Sequence, residues 1–121
     1  MLKLTFALIR QPHLTREAFQ AYWHGHHAPL VASVREVLGI RRYVQMHSLP
    51  QEMSAGLRDS RGAPADYDGV ALLWYDGLDD LARRMDDPAA RDAARMLLED
   101  EKLFIDHAGS PLWWGEEKLI F

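Results

Sequence analysis

The order in which hydrophobic periodicity changes along the chain constrains the fold most strongly. Residues 2–10 alternate, with Leu2, Leu4, Phe6 and Leu8 on one face. A period of two residues is typical of a β-strand with one buried face. We therefore predict a first strand whose bulkier face packs against helices.

A helical pattern follows, and Thr15 stands at its start as a predicted N-cap. Pro29 has no N–H to donate and its ring crowds the preceding turn, which predicts a break or bend between Gly25 and Leu30. Gly39 is predicted to end the helix in a left-handed conformation. Residues recurring at spacings of three and four form one helical face: Phe19, Trp23, His27, Leu30, Val34 and Leu38.

The remaining patterns complete a β-α-β-β-α-β order, which is the ferredoxin-like arrangement. Its sheet is antiparallel and its helices lie on one face, so we predict an α+β fold in one domain, residues 1–121. Residues 49–66 are predicted to form a long loop. Further strands are predicted at 40–48, 69–75 and 116–121, and a second helix runs from Leu78, with an interruption at Pro88, to Ile105.

The sheet face that the helices leave open predicts a homodimer. We expect this face to carry Ile9, Ala71, Leu73 and Tyr75 beside polar groups. Such a surface would be an unusually large exposed apolar patch, and two copies packed face to face would cover it.

Composition excludes several classes of function. Hydrophobic residues make up 48% of the chain, charged residues 26%, and there is no cysteine. The absence of cysteine excludes disulfides, thiolate metal sites and a cysteine nucleophile. A net charge of -4 argues against a nucleic-acid partner. No apolar run is long enough for a membrane helix and none resembles a signal peptide, so we expect no membrane association and a cytoplasmic location.

Residues 19–30, Phe-Gln-Ala-Tyr-Trp-His-Gly-His-His-Ala-Pro-Leu, resemble the signature of the EthD family. Three further segments agree with the family in order and character. They are Lys3 to Pro12, Asp68-Gly69-Val70-Ala71 with Trp74, and Asp100-Glu101 with Phe104-Ile105-Asp106. The resemblance spans nearly the whole chain apart from 49–66.

This resemblance implies a dimeric α+β barrel with a pocket between sheet and helices. It leaves the chemistry open, because similar barrels include heme-handling monooxygenases, muconolactone-type isomerases and fungal polyketide dehydratases, and a shared fold does not assign a reaction.

His27 is the leading catalytic candidate, because it points to the apolar side of the helix where Pro29 loosens the backbone. An imidazole is well suited to moving protons near neutral pH. The alternative is that His27 only hydrogen-bonds freed backbone carbonyls. His26 and Tyr43 are assisting candidates, although Tyr43 is predicted on the strand face opposite the helices, where a dimer interface is the alternative.

Phe19, Trp23 and Trp74 are the candidate substrate-binding residues, with an ordinary place in the core as the alternative. The acidic residues 99–101 suggest a solvated helix face, and an acid near a helix end is unfavourable unless paired, so Asp100 and Asp106 are each expected to meet an arginine. His24 and His27 have a spacing that could share a metal, but there is no H-E-x-x-H arrangement, and we predict neither metal nor cofactor.

Two functions remain open from the sequence. The first is a cofactor-independent enzyme, an isomerase, dehydratase or oxygenase (thus an isomerase, lyase or oxidoreductase), acting on a small apolar carbonyl or aromatic compound. The second is a non-catalytic dimer that binds a small hydrophobic metabolite or assists an oxygenase system. The enzyme requires a cavity that His27 reaches, whereas the binding protein requires only apolar walls.

Overall fold

A computed structural model describes residues 1–121, the whole chain. Its sheet has four strands in the order β2-β3-β1-β4, and every pairing is antiparallel. The order and directions are those of a ferredoxin-like sheet, so the predicted α+β class is confirmed. The strands are β1 (Leu2–Leu8), β2 (Arg42–His47), β3 (Gly69–Tyr75) and β4 (Leu112–Glu116).

Helical segments connect the strands and cover one face of the sheet. Thr15 is the N-cap of the first helix, as predicted, because its Oγ1 accepts a hydrogen bond from the N–H of Ala18 at 3.1 Å. Gly39 ends the first connection at φ 73°, also as predicted. The helices are α1 (Arg16–Tyr22), α2 (Ala28–Ser33), α3 (Arg35–Leu38), α4 (Ala55–Arg61), α5 (Leu78–Arg84) and α6 (Pro88–Glu101).

The core lies between the sheet and these helices in two adjoining clusters. One cluster contains Phe6 and Leu8 of β1 packed against Phe19 and Trp23 of the first helical connection. The other contains Val31, Leu38, Ile40, Tyr75, Ala90 and Ala93. None of the helices combines the length and apolarity that crossing a bilayer requires.

The strand register corrects the predicted distribution of side chains between the sheet faces. Residues directly opposite each other share a face, and Leu73 of β3 lies opposite both Leu4 and Tyr43. Ala71, Leu73 and Tyr75 therefore lie on the helix-covered face, not on the free one, and Ile9 lies beyond the end of β1. Tyr43, Gln45 and His47 also lie on the helix-covered face. Alternation alone cannot say which of its two sets is buried when both are apolar.

The free face is apolar nevertheless, through different residues. Met46 and Trp113 on this face are 53% and 52% exposed. Their neighbours on the same face include Ala7, Val44, Val70 and Leu72. A partner that covers the free face is therefore still expected, although Ile9, Ala71, Leu73 and Tyr75 do not belong to this face.

Three element boundaries also differ from expectation. Residues 49–66 are not a long loop, because a 3-10 turn (Gln51–Ser54) leads into α4, which ends where Gly62 adopts φ 58°. Helix α6 ends at Glu101 instead of Ile105. The last strand is Leu112–Glu116 instead of residues 116–121, and it pairs with Leu2–Phe6 of β1.

A buried ion network ties the segment before β3 to α1. Asp68, 2% exposed, accepts hydrogen bonds from the Arg10 N–H at 2.8 Å, from Arg10 Nη1 at 2.6 Å and from Arg16 Nε at 3.0 Å. Burial by itself would raise the pKa of Asp68, but the hydrogen bonds from Arg10 and Arg16 hold that pKa below its usual value. No local sequence pattern predicts this network, because Asp68 is 58 positions from Arg10 and 52 from Arg16.

Candidate active site

A π-helical turn, Trp23–His27, places the histidines of the first helical connection. In this turn the N–H of Ala28 donates to the carbonyl of Trp23, five residues earlier, and Gln45 Nε2 donates to the same oxygen at 3.0 Å. The predicted irregularity near Pro29 is therefore present as a π-helical turn just before the proline, and not as a break in the helix. Such turns occur frequently at functional sites.

Close packing of Trp23 against the sheet holds the π-helical turn near β3. Trp23 is 1% exposed, and a Cβ on Gly69 would lie 2.5 Å from its ring. Phe19 packs behind Trp23 with ring centroids 5.6 Å apart. Only a glycine at position 69 leaves room for the indole.

His27 is 6% exposed and is paired with a buried carboxylate. Its Nδ1 lies 2.7 Å from Oδ2 of Asp100 in α6. The second carboxylate oxygen, Oδ1, accepts a hydrogen bond from the Tyr22 hydroxyl at 2.6 Å and lies 3.5 Å from His26 Nε2. A carboxylate at Nδ1 fixes the orientation of the ring and leaves Nε2 as the nitrogen available to another molecule.

Protonation states follow from this arrangement. Burial would raise the pKa of Asp100, but the hydrogen bonds from Tyr22 and His27 hold that pKa below its usual value. Burial and the hydrogen bond to Asp100 raise the pKa of Tyr22 to about 12. At neutral pH Asp100 is therefore an anion and Tyr22 a neutral donor.

His27 borders a cavity of about 130 Å³ between the sheet and the helices. Fourteen of its 16 lining residues are hydrophobic, and they include Trp23, Tyr43, Tyr75 and the half-exposed Leu112 beside the surface. An apolar cavity of about 150 Å³ can hold a benzene molecule. This cavity therefore matches a compound with about one six-membered ring.

The structure brings together only part of the predicted site. Trp23, His27 and Tyr43 line the cavity, whereas Phe19 lies behind Trp23 without lining it. His26 is outside, with its side chain 56% exposed and its ring tilted by 31° against that of Tyr22, at a centroid distance of 4.7 Å.

Trp74 lies on the opposite face of the sheet, away from this cavity. The ammonium of Lys3 and the guanidinium of Arg42 cover its ring at 4.8 and 4.7 Å, and its indole N–H donates to Glu117. It is thus enclosed by charged side chains and has no access to the cavity.

The histidines do not converge on a metal site. The ring of His24 lies 5.9 Å from that of His47, while His27 turns inward to Asp100. No group of three or more histidine and carboxylate side chains in the chain could hold a metal ion. The π-helical turn separates the directions of His24 and His27, which sequence spacing alone would place on one side.

Asp100 and Glu101 were the residues that sequence reasoning missed. The acidic run 99–101 predicts a solvated helix face, yet Asp100 is 8% exposed and Glu101 lines the cavity. Asp100 is paired with His27 and Tyr22 and not with the expected arginine. The available signal was the resemblance itself, which included Asp100-Glu101.

Comparisons with known proteins agree with this architecture. A conidial pigment biosynthesis dehydratase, EthD, from Metarhizium robertsii is 31% identical over 91 residues, which are 73% of this chain and 64% of that protein. An EthD family protein of Bacillus halodurans shares 21% identity, with a TM-score of 0.59 over 98% of this chain and 100% of that chain.

A dimeric protein of ferredoxin-like fold from Bacteroides fragilis shares 9% identity, with a TM-score of 0.58 over 96% of this chain and 95% of that chain. These two likenesses confirm the fold. The EthD domain model matches residues 11–108, which is more than half of the sequence. The chain therefore belongs to the EthD domain family.

Proposed function

We propose that this protein is a cofactor-independent acid–base enzyme that acts on a small, largely apolar carbonyl or aromatic compound. The observation that carries the proposal is the contact of 2.7 Å between His27 Nδ1 and the buried Asp100 at the wall of an apolar cavity. In this proposal His27 is the general base and acid, Asp100 orients it, and Trp23 and Tyr43 shape the substrate site.

The proposed chemistry is proton transfer. Nε2 of His27 accepts a proton from a carbon next to a substrate carbonyl, and the anionic Asp100 stabilises the imidazolium that forms. The imidazolium then returns the proton to another carbon, which is an isomerisation, or to a departing hydroxyl group, which is a dehydration. The name of the Metarhizium relative, a dehydratase, supports the second outcome.

Tyr43 and His26 have less support than His27 as participants in the proposed reaction. The Tyr43 hydroxyl accepts a hydrogen bond from Gln45 Nε2 at 2.8 Å, so its own proton can be donated to a substrate oxygen. Burial raises the pKa of Tyr43, which keeps it a donor at neutral pH. His26 Nε2 lies 3.5 Å from Asp100 Oδ1, but its side chain is 56% exposed and lies outside the cavity, so it acts on the substrate only through Asp100.

The test measures deuterium exchange into the carbon next to the carbonyl of cyclohexanone, a single-ring probe, by NMR in deuterated water. We expect His27→Gln to lower the protein-catalysed rate about a hundredfold or more, with the folded structure retained. His26→Gln is the matched control, because it changes the neighbouring exposed histidine.

Two results contradict the proposal. One is an unchanged exchange rate in His27→Gln together with a lowered melting temperature, which assigns His27 a structural role. The other is wild-type exchange no faster than in buffer although cyclohexanone binds, which favours the non-catalytic binding protein.

We also propose that the protein is a homodimer through the helix-free sheet face. The support is the exposed apolar side chains of Met46 and Trp113 on that face and the dimeric Bacteroides fragilis protein of similar fold. Sedimentation at micromolar concentration tests this proposal, and Met46→Lys should shift a dimer toward monomer. A wild-type monomer contradicts it.

A further inference from the structure

The cavity contains a second ionisable group that the proposed reaction does not use. Glu101 follows Asp100 at the end of α6, and successive helical residues project about 100° apart. Asp100 therefore meets His27 while Glu101 turns toward the cavity, where its side chain is 20% exposed. The two neighbouring acids therefore lie in different surroundings, Asp100 beside His27 and Glu101 at the cavity.

The Glu101 carboxylate has one side-chain partner. His107 Nε2 lies 3.1 Å from its Oε1, and the His107 ring stacks on Phe6 at 6.3 Å with an interplanar angle of 12°. No lysine or arginine is among the residues that line the cavity. The negative charge of Glu101 is therefore not neutralised by a cation inside the cavity.

Tyr75 supplies a hydrogen-bond donor to the same space. The residue is 8% exposed and lines the cavity, and its phenol hydroxyl can donate a hydrogen bond. Burial and the negative charge of Glu101 raise the pKa of Tyr75 to about 12, so the phenol keeps its proton at neutral pH. The cavity thus offers a neutral donor and an anionic acceptor besides His27.

We propose that Glu101 sets the ligand preference of the cavity, which favours neutral single-ring compounds with a hydroxyl group over neutral compounds without one and over carboxylate anions. The carboxylate accepts a hydrogen bond from the ligand hydroxyl, Tyr75 donates to a ligand oxygen, and the charge of Glu101 excludes ligands that are carboxylate anions. This proposal rests on the proposed function in one respect, namely that the same cavity is the substrate site.

The test compares three probes of similar size at pH 7 by calorimetric titration of the full chain. Phenol is neutral and can donate a hydrogen bond, anisole is neutral and cannot, and benzoate is an anion. We expect phenol to bind about tenfold or more tightly than either of the others, because a hydroxyl donor is satisfied and a like charge is avoided.

Glu101→Gln should then remove most of the discrimination against benzoate, since the amide is nearly isosteric and uncharged. Glu99→Gln is the matched control, because Glu99 is exposed, pairs with Lys102 at 2.8 Å and carries the same charge. It should leave the order of the three affinities unchanged.

The inference is overturned if wild-type protein binds benzoate as tightly as phenol, if phenol does not bind at millimolar concentration, or if the two glutamate variants change benzoate affinity equally. The first two results need no variant and hold even if Glu101→Gln does not fold. His27→Gln separates this inference from the proposed function, because it should abolish deuterium exchange while keeping the preference for phenol. An exchange rate that survives in His27→Gln, with the preference intact, defeats the proposed function alone.

Discussion

The protein buries two aspartates on the two sides of its first helical connection, and their partners differ in kind. Asp68 is held by Arg10 and Arg16, whose guanidinium groups remain charged at any ordinary pH. Asp100 is held by His27 and Tyr22, which can both gain or lose a proton. Both environments hold the aspartate pKa below its usual value.

The difference indicates why one site is structural and the other a candidate for catalysis. A carboxylate between permanent cations fixes the chain around it, but it has no proton to exchange with a ligand. A carboxylate behind a histidine stabilises the charge that the histidine acquires when it takes a proton. Only the second site borders the apolar cavity.

Asp68→Asn should give the largest loss of stability. It leaves two guanidinium groups without their buried counter-charge, and breaking such a network costs about 3–5 kcal/mol of the free energy of unfolding. Urea denaturation measures this loss, and the deuterium exchange rate per folded molecule should remain at the wild-type value. A loss below about 1 kcal/mol would show that the network is not structural.

Asp100→Asn, the same chemical change at the other site, should reverse the pattern. We expect the exchange rate to fall about a hundredfold, because the imidazolium loses its stabilising charge. The free energy of unfolding should fall by only about 1–3 kcal/mol, as the amide can still accept one hydrogen bond. Equal rates in the two asparagine variants would erase the distinction between the sites.

Tyr22→Phe should have a smaller effect with a characteristic pH dependence. The variant loses the hydroxyl that donates to Asp100, which costs about 1 kcal/mol at neutral pH. Because the folded-state pKa of about 12 lies above the unfolded value near 10, this contribution is complete below about pH 10 and disappears as the pH rises toward 12. Unfolding of wild type and variant between pH 7 and 11.5 measures the difference, and a constant difference would contradict the assignment.

His26→Asn should have the smallest effect. Its side chain is 56% exposed and its Nε2 lies 3.5 Å from Asp100, so stability should change by less than about 0.5 kcal/mol. The exchange rate should fall less than about threefold, since a weak exposed contact contributes little. A fall as large as that of His27→Gln would make His26 a catalytic partner and move the site toward the surface.

The sequence by itself determined the main elements of this fold. Alternation in β1, the spaced apolar face from Phe19 to Leu38, the N-cap Thr15 and the terminal Gly39 are local signals, because each depends on neighbours within a few residues. These signals gave the order of strands and helices and selected His27 as the central candidate. Resemblance to the EthD family added the expectation of a pocket between sheet and helices.

Tertiary structure alone decided which groups meet. The register between β1 and β3 places Ala71, Leu73 and Tyr75 on the covered face. The sequence could not predict this, because both alternating sets of β3 are apolar. The partnership of His27 with Asp100 joins residues 73 positions apart, and no local pattern encodes such a distance. Whether an acid at a helix end faces solvent, an arginine or a histidine depends on how the helix packs against its neighbours. Because α6 packs against the π-helical turn, Asp100 meets His27 and Glu101 lines the cavity.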